Sequence, residues 1–542
     1  MKKTQKIILA GAAVAAVAVG GVFYVKSTAK DPKDVVIDAF KSVYAEGQTN
    51  PQEELFGVKE LLENTSKNGE YGLTLKLDSC SDENINAYAG SGLRIAGKTD
   101  IENLHSSINL AAIYNGMDLA NVNGYYGDKK VMVSMPEISS YVFTADLNKD
   151  LGQQLTDSPF FGPMLEERGI DVAALDDYIK ELIAQAEQNS SEDKGAGAFD
   201  VKALWDRYKE GCEAQDNFKA AMTVEKAEKG TYTVDGKNET CKGYTVNISK
   251  DSMVDFLRTS ADFFLQDEEL KSAFLKQLET TVKLSQLLGN DIESDIPSVK
   301  ELQEQTYEET KENVETMIQY VDKALTDVQM TVYVDKSGRL AAMDAVTFVN
   351  TESFAGDEGV KQVKIDFHAE VKGGAYRLQN FVTTIGLTAN EDNVTIRADR
   401  VGTYDGKNLE DSLTFSVFEE GIIDLNGEIS STYESETGKE NNRITISDGE
   451  DNLFTMNVDS TVDELEKGKS LHGTIDSAEF TSLNGQYSAV FSGEGYLRPL
   501  EGDIEPLEGE TFDIFAASEE EWNAVAMEMA FGVFGLAAQI SQ

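Results

Sequence analysis

The sequence predicts an α+β protein. A large curved antiparallel meander sheet, half-barrel-like, is expected to wrap around helices, with an N-terminal membrane-spanning helix ahead of it. Three observations predict this. Two long stretches, roughly Tyr71 to Asp146 and Val328 to Tyr496, alternate apolar and polar residues with a period of two. Capped helical segments lie before, between and after them. An uncharged run from Ile7 to Val25 follows Lys2, Lys3 and Lys6.

The run IILAGAAVAAVAVGGVFYV would span about 28 Å as a helix, close to the hydrocarbon thickness of a bilayer. It is longer than the apolar region of a secretory signal. The lysines ahead of it favour an inside N-terminus and an outside bulk. The first reading is an uncleaved signal-anchor. The second is a cleaved signal, with cleavage after Ser27-Thr28-Ala29. Both export the chain from about residue 30 onward: the first as a single-pass protein of the cell membrane with its bulk outside, the second as a secreted protein. Leu9-Ala10-Gly11 resembles the start of a lipobox, but Ala12 follows where the lipid-bearing Cys would stand.

Asp31-Pro32 opens a helix with Val35, Val36, Ala39, Phe40 and Val43 at helical spacing. Asn50-Pro51-Gln52-Glu53 opens another, with Leu55, Val58, Leu61 and Leu62 as its apolar face. From Tyr71 the period becomes two: Leu73, Leu75 and Leu77 alternate with Thr74, Lys76 and Asp78. Asn115-Gly116, Asn123-Gly124 and Gly127-Asp128 read as hairpin turns. Helices are expected over 171–187, 199–221, 252–288 and 298–325, with a polar loop at 188–198 and two strands around Tyr232 and Tyr244.

From Val328 the strands return. Val363, Ile365, Phe367, Ala369 and Val371 alternate with Lys364, Asp366, His368, Glu370 and Lys372. No proline lies between Pro297 and Pro499, which suits an unbroken sheet. Ser518 and Glu521 cap a last helix that is apolar nearly all round. Such a helix is normally buried, here inside the curve of the sheet. The chain thus divides into a signal-anchor (1–29), N-terminal helices and meander (30–150), a mainly helical segment (151–327), a long meander (328–516) and a C-terminal apolar helix packed on the sheet (517–542). The two meanders are expected to join in one sheet.

The 542 residues carry 48 Lys and Arg against 96 Asp and Glu, a net charge of −48. Phosphate backbones repel such a surface, so nucleic acid is not an expected partner. No HExxH, CxxC, Walker A, GxGxxG or GxSxG pattern is present. His105, His368 and His472 each fall on a polar face, and none has a ligand or triad partner at motif spacing. Ser27-Thr28-Ala29-Lys30 matches S-x-x-K at the membrane exit, without a following K-T-G. Asp448-Gly449-Glu450-Asp451 reads as a solvated turn, with a weak calcium site as its alternative.

Cys212 and Cys241 are candidates for a disulfide, the alternative being that Cys80, Cys212 and Cys241 are all unpaired thiols. No catalytic, cofactor-binding or metal-ligating residue is expected, and no cofactor. The ligand-binding residues are unknown at this stage. The Phe160/Phe161 and Phe263/Phe264 pairs are core or the wall of an apolar groove.

Gly127-Asp128-Lys129-Lys130-Val131-Met132-Val133, Tyr141-Val142-Phe143 and Val332-Tyr333-Val334-Asp335-Lys336 resemble strands of LolA/LppX-type half-barrel exported lipoproteins. The order of elements is also similar to that of uncharacterised signal-anchored bacterial envelope proteins. The chain departs from the former in its length and in lacking the lipobox Cys. The resemblance implies a curved sheet around helices that binds acyl chains. The expected function is therefore a membrane-anchored extracytoplasmic protein, not an enzyme, that binds a lipid or other apolar ligand. The alternative is an envelope scaffold that binds a protein partner, its acidic surface meeting a basic one.

Overall fold

Period-two alternation puts every second side chain on one face of a strand, so neighbouring strands of this chain share an apolar face and a polar one. The computed structural model shows how far that sharing extends. It describes residues 31–47, 50–167, 170, 172–173, 175–176, 179–180, 200–275, 299–351, 362–390 and 392–540. The expected N-terminal span (7–25), the polar loop at 188–198 and most of the helix at 171–187 lie outside the described residues.

The first meander is β1 (Asn68–Cys80), β2 (Gly92–Asp100), β3 (His105–Tyr114), β4 (Met117–Gly127), β5 (Lys130–Ser134) and β6 (Tyr141–Asp146). The second begins with β7 (Thr223–Val234), β8 (Lys237–Ile248) and β9 (Val328–Val334). It continues through β10 (Leu340–Asn350), β11 (Gln362–Val371), β12 (Phe381–Ala389), β13 (Asp392–Tyr404), β14 (Leu409–Glu419) and β15 (Ile423–Glu434). It ends with β16 (Lys439–Asp448), β17 (Asp451–Glu466), β18 (Ser470–Ser482) and β19 (Tyr487–Pro499), and β20 (Glu510–Asp513) follows.

All twenty belong to one sheet. Within each meander, consecutive strands pair antiparallel, as hairpin connections dictate. The two meanders meet where β1 pairs with β19, from Gly69↔Pro499 to Cys80↔Ala489. β20 adds to β6 in parallel, so the open edges are β7 and β20. The expected single sheet is present, and the two strands around Tyr232 and Tyr244 extend it.

Hairpin chemistry accounts for the turns. Asn115 and Gly116, at φ of 49° and 76°, turn β3 into β4. The expected turn at Asn123-Gly124 does not form: Gly124 sits inside β4, opposite Ile108 and Val133. At 127–129 the positive φ falls on Asp128 and Lys129.

The helices gather over one end of the sheet. Asp31 accepts the Asp34 N–H at 2.9 Å and opens Pro32–Gly47, whose Val36, Ile37 and Phe40 are buried. Ala214–Ala221 brings Phe218, Lys250–Gln266 brings Met253 and Val254, and Val299–Ala324 brings Ile318. These pack on Val246, Ile248, Met330, Val332, Ile365 and Leu387, and reach as far as Val417 on β14. The expected helix over 252–288 is interrupted at Asp267, whose carboxylate takes a two-pronged pair from Arg207 at 2.8 and 2.9 Å. Asn50 caps Pro51–Phe56, and a new helix, Val58–Lys67, follows Gly57. A segment from Leu500 to Gly509 crosses the polar face of β4–β6, where Ile504 is buried with Tyr125, Met132 and Val142.

The last helix, Glu519–Ile540, forms with the expected cap: the Ser518 N–H donates to Glu521 Oε2 at 2.8 Å, and the Glu521 N–H to Ser518 Oγ at 3.3 Å. The Ser518 N–H and its hydroxyl, both donating to Oε2, hold the Glu521 carboxyl below the usual carboxylate range. Its burial differs from expectation. Only Val525 is fully buried, with Trp522 and Met529 beside it against Phe143 and Phe512; Glu528, Gly532 and Leu536 are half-buried and the outer side stands in solvent. The reason is placement. The interior cover is supplied by the other helices over β8–β14, whereas this helix follows β20 at the opposite edge of the sheet.

Candidate apolar binding face

Cross-strand register shows which side chains share the face on which the helices pack. Leu413 on β14 stands opposite Ile429, which stands opposite Ile444, then Met456, Phe480 and Ala489. The face continues across the β1–β19 seam. Gly495, Leu73, Ile95, Leu110 and Val122 form one row, and Gly493, Leu75, Leu93, Ala112 and Ala120 another. Tyr71 lies in a third row with Gly97 and Ile108, its ring resting where a side chain on Gly97 would be. No Asp, Glu, Lys or Arg stands in these rows.

The main helix layer stops short of them; at one end of these strands the short helices Pro51–Phe56 and Val58–Lys67 come in, Phe56 edge-on against Tyr433 and the second helix against β1, β2 and β19. Beyond Val417 none of these residues joins a buried hydrophobic cluster among the described residues. Leu93 is 64% exposed, Leu73 and Ile429 are 43%, and Ile95, Ile108, Leu110 and Val122 are near 40%. The ten strands from β14 through β19 to β1–β4 present a face roughly 43 Å across at the ordinary strand spacing. Scattered single apolar residues on a surface need no explanation, but a contiguous face of this extent marks a site of binding.

The other face of the same strands is polar and internally bonded. Asn109 Nδ2 donates to Asn123 Oδ1 at 2.7 Å, and Asn441 Nδ2 to Asp459 Oδ1 at 2.8 Å. Glu70 is buried there. It accepts from Lys98 Nζ at 2.7 Å, from Arg498 Nη2 and Nε at 2.7 and 3.0 Å, and from the Glu501 N–H at 3.4 Å. Burial alone would raise its pKa; the bonds from Lys98, Arg498 and Glu501 outweigh that and hold it below the usual range. Open depressions on this face hold about 390 Å³, between Arg397, Thr414, Ser416, Asn426, Glu428 and Thr445, and about 410 Å³, between Glu434, Lys439, Asn441, Asp459 and Asp476. They are lined by charged and hydroxyl groups, unlike an apolar ligand pocket.

The residues singled out in the sequence are dispersed. His368 lies beside Asp344 at 2.7 Å and Glu370 at 3.5 Å, His472 beside Asp463 at 3.3 Å, and His105 beside Asp128 at 3.7 Å. Seven strand spacings, roughly 34 Å, separate β11 from β18, so His368 and His472 serve no common site. Among the described residues no group of three or more His, Cys, Asp and Glu could hold a metal. Asp448 and Asp451 close the β16–β17 hairpin as an ordinary turn. Ser27 and Lys30 lie outside the described residues.

The three cysteines are free. The candidate Cys212–Cys241 bond is absent because the two thiols face different surroundings. Cys241 is enclosed with Val234, Ala341, Tyr232 and Tyr333, which pushes its thiol pKa up, while Cys212 Sγ faces the Thr259 carbonyl. Both phenylalanine pairs pack helices. Phe264 stacks on Tyr208 at 4.9 Å, and Phe160 on Trp522 at 5.3 Å. The alternation at Leu73, Leu75 and Leu93 was the available signal for the exposed face; what the sequence lacked was any sign that the helices leave it uncovered.

The fold and this face define a large mixed protein whose single, almost wholly antiparallel sheet is densely covered by helices over β8–β14 and sparsely beyond, on its apolar side. No protein-family model matches the chain, and no curated protein matches it. Neither comparison links the chain to LolA/LppX-type half-barrels.

Proposed function

We propose that the protein is a membrane-anchored, extracytoplasmic binding protein, without a chemical step, that holds a lipid or other elongated apolar ligand along the part of its sheet beyond the main helix layer. One observation carries the reading: the uncharged, solvent-facing rows from Leu413 to Val122. Burying such a surface is favourable by about 25 cal/mol per Å², and a flexible acyl chain covers it without needing a shaped pocket. Half-barrels that carry acyl chains support the reading at the level of fold only. The anchor is assigned to residues 7–25. Protease added to intact cells is expected to digest the chain; sparing it before lysis and cleaving it afterwards would reverse the location.

Leu110 and Ile95 are opposite neighbours on the β2–β3 part of the face, and both are already exposed, so charge there perturbs binding more than folding. The double variant I95D/L110D is expected to bind a fluorescent fatty acid at least tenfold more weakly than the parent, a loss of about 1.4 kcal/mol or more. Equal affinity, measured by titration with circular dichroism unchanged, would remove the face from consideration. A basic protein partner is the second reading, favoured by the carboxylates of Glu434, Asp459 and Asp476 around one depression of the polar face.

A further inference from the structure

A helix docked on a protein surface normally turns a polar face to water. Glu519–Ile540 does not. Its inner side, with Trp522, Val525 and Met529, packs on Phe143 and Phe512, and Gly532 comes against the backbone of Ile138. Tyr114 Oη donates to the Ile540 carbonyl at 3.1 Å and holds the far end. The outer side carries Met527, Phe531 and Phe534 at helical spacing, the two phenylalanines 75% and 72% exposed, with Val533 beside them. From Trp522 to Gln542 the one charged residue is Glu528, and it accepts the Ser140 N–H at 2.6 Å.

We infer that the outer side of this helix docks in the interfacial layer of a zwitterionic lipid bilayer, lying parallel to the membrane surface. Three observations select this occupant. The exposed stripe from about residue 524 to 538 runs roughly 21 Å along the helix. At a helix diameter of about 10 Å that is far below the ~800 Å² per partner of a stable dimer, so a second copy would be weakly held. Interfacial helices have no such threshold, because their binding scales with the apolar area they bury. Secondly, a net charge of −48 repels another copy and anionic lipid alike, and leaves a neutral surface as the compatible one.

The third observation concerns orientation. By length and composition this is the one helix among the described residues that could cross a membrane. Crossing would strip Trp522 from Phe143 and Phe512, ring contacts of 6.4 and 5.0 Å, and carry Glu528 into hydrocarbon. Lying in the surface plane keeps both in place while the phenylalanines enter the acyl boundary. This docking stands apart from ligand binding on the sheet and survives its failure.

The test is F534W in the full chain, mixed with phosphatidylcholine vesicles, with the emission of the parent, which contains Trp205 and Trp522, subtracted. Reading position 534 itself makes the result independent of any other membrane-binding segment. The added emission is expected to shift to the blue with lipid, and to be quenched at least twofold more by lipids brominated near the headgroup than by lipids brominated near the chain ends. No shift and no quenching would overturn the inference. Strongest quenching by the deep bromines would replace docking with crossing. A shift that appears without lipid and grows with protein concentration would assign the stripe to a second copy. Phe534 is exposed and Trp conserves its apolar character, so the variant retains the fold.

Discussion

Phe218→Ala is expected to lower the free energy of unfolding by about 3–5 kcal/mol, read from urea denaturation followed by circular dichroism. Phe218 is 2% exposed and meets Phe256 at 5.5 Å between ring centres. It belongs to the cluster in which Val36, Met222, Ile248, Met253 and Val332 are also sealed from water. Truncation leaves a void between helix layer and sheet, and the close-packed neighbours refill it only in part. A loss below about 1 kcal/mol would mean that the helices ride loosely on β8–β14.

Glu70→Gln is expected to cost about 2–3 kcal/mol at neutral pH, because Lys98 and Arg498 both lose their charged partner on the polar face. Lys98 and Arg498 are themselves about half exposed, which keeps the cost below that of a fully buried pair. The effect depends on pH with a definite sign. The folded carboxyl has a lower pKa than the ordinary 4.5 of an unfolded glutamate, so the folded state is favoured by ionisation. That contribution is complete above 4.5 and disappears as the pH falls through the folded value. Parent and variant stabilities, measured by denaturation from pH 7 downward, should therefore converge in acid. A constant gap across that range would assign the loss to shape rather than charge.

Strand positions were legible because alternation is a local property. Val363 to Val371 on β11 shows it, and Ile365 and Phe367 do face the helices. Helix starts were legible for the same reason: Asp31, Asn50 and Ser518 cap the helices their sequences announce. Asn123-Gly124 misled because the pair permits a hairpin without requiring one; in β4 it is held extended by partners on both sides. β20 gave no signal, since four residues after a crossing segment are too few for periodicity.

The candidate face was half legible. Leu73, Leu75, Leu93 and Ile95 read plainly as one apolar side. Where the helices would stop was not written there, because an apolar residue has the same pattern whether a helix covers it or not. The last helix was misjudged on the same ground: Phe531 and Phe534 look alike in a core and in solvent.

The seam between β1 and β19 has a consequence for how the polypeptide reaches this state. β1 leaves the ribosome well before its second neighbour, residues 487–499, which is made more than four hundred residues later. Until then β1 is a free edge, with Leu73 and Leu75 beside unpaired backbone groups ready to recruit a foreign strand. Synthesis proceeds at about 5–20 residues per second, so this vulnerable interval lasts tens of seconds. A nascent chain of this design therefore gains from protection of that edge, and its final zippering waits until residues 487–499 have been made.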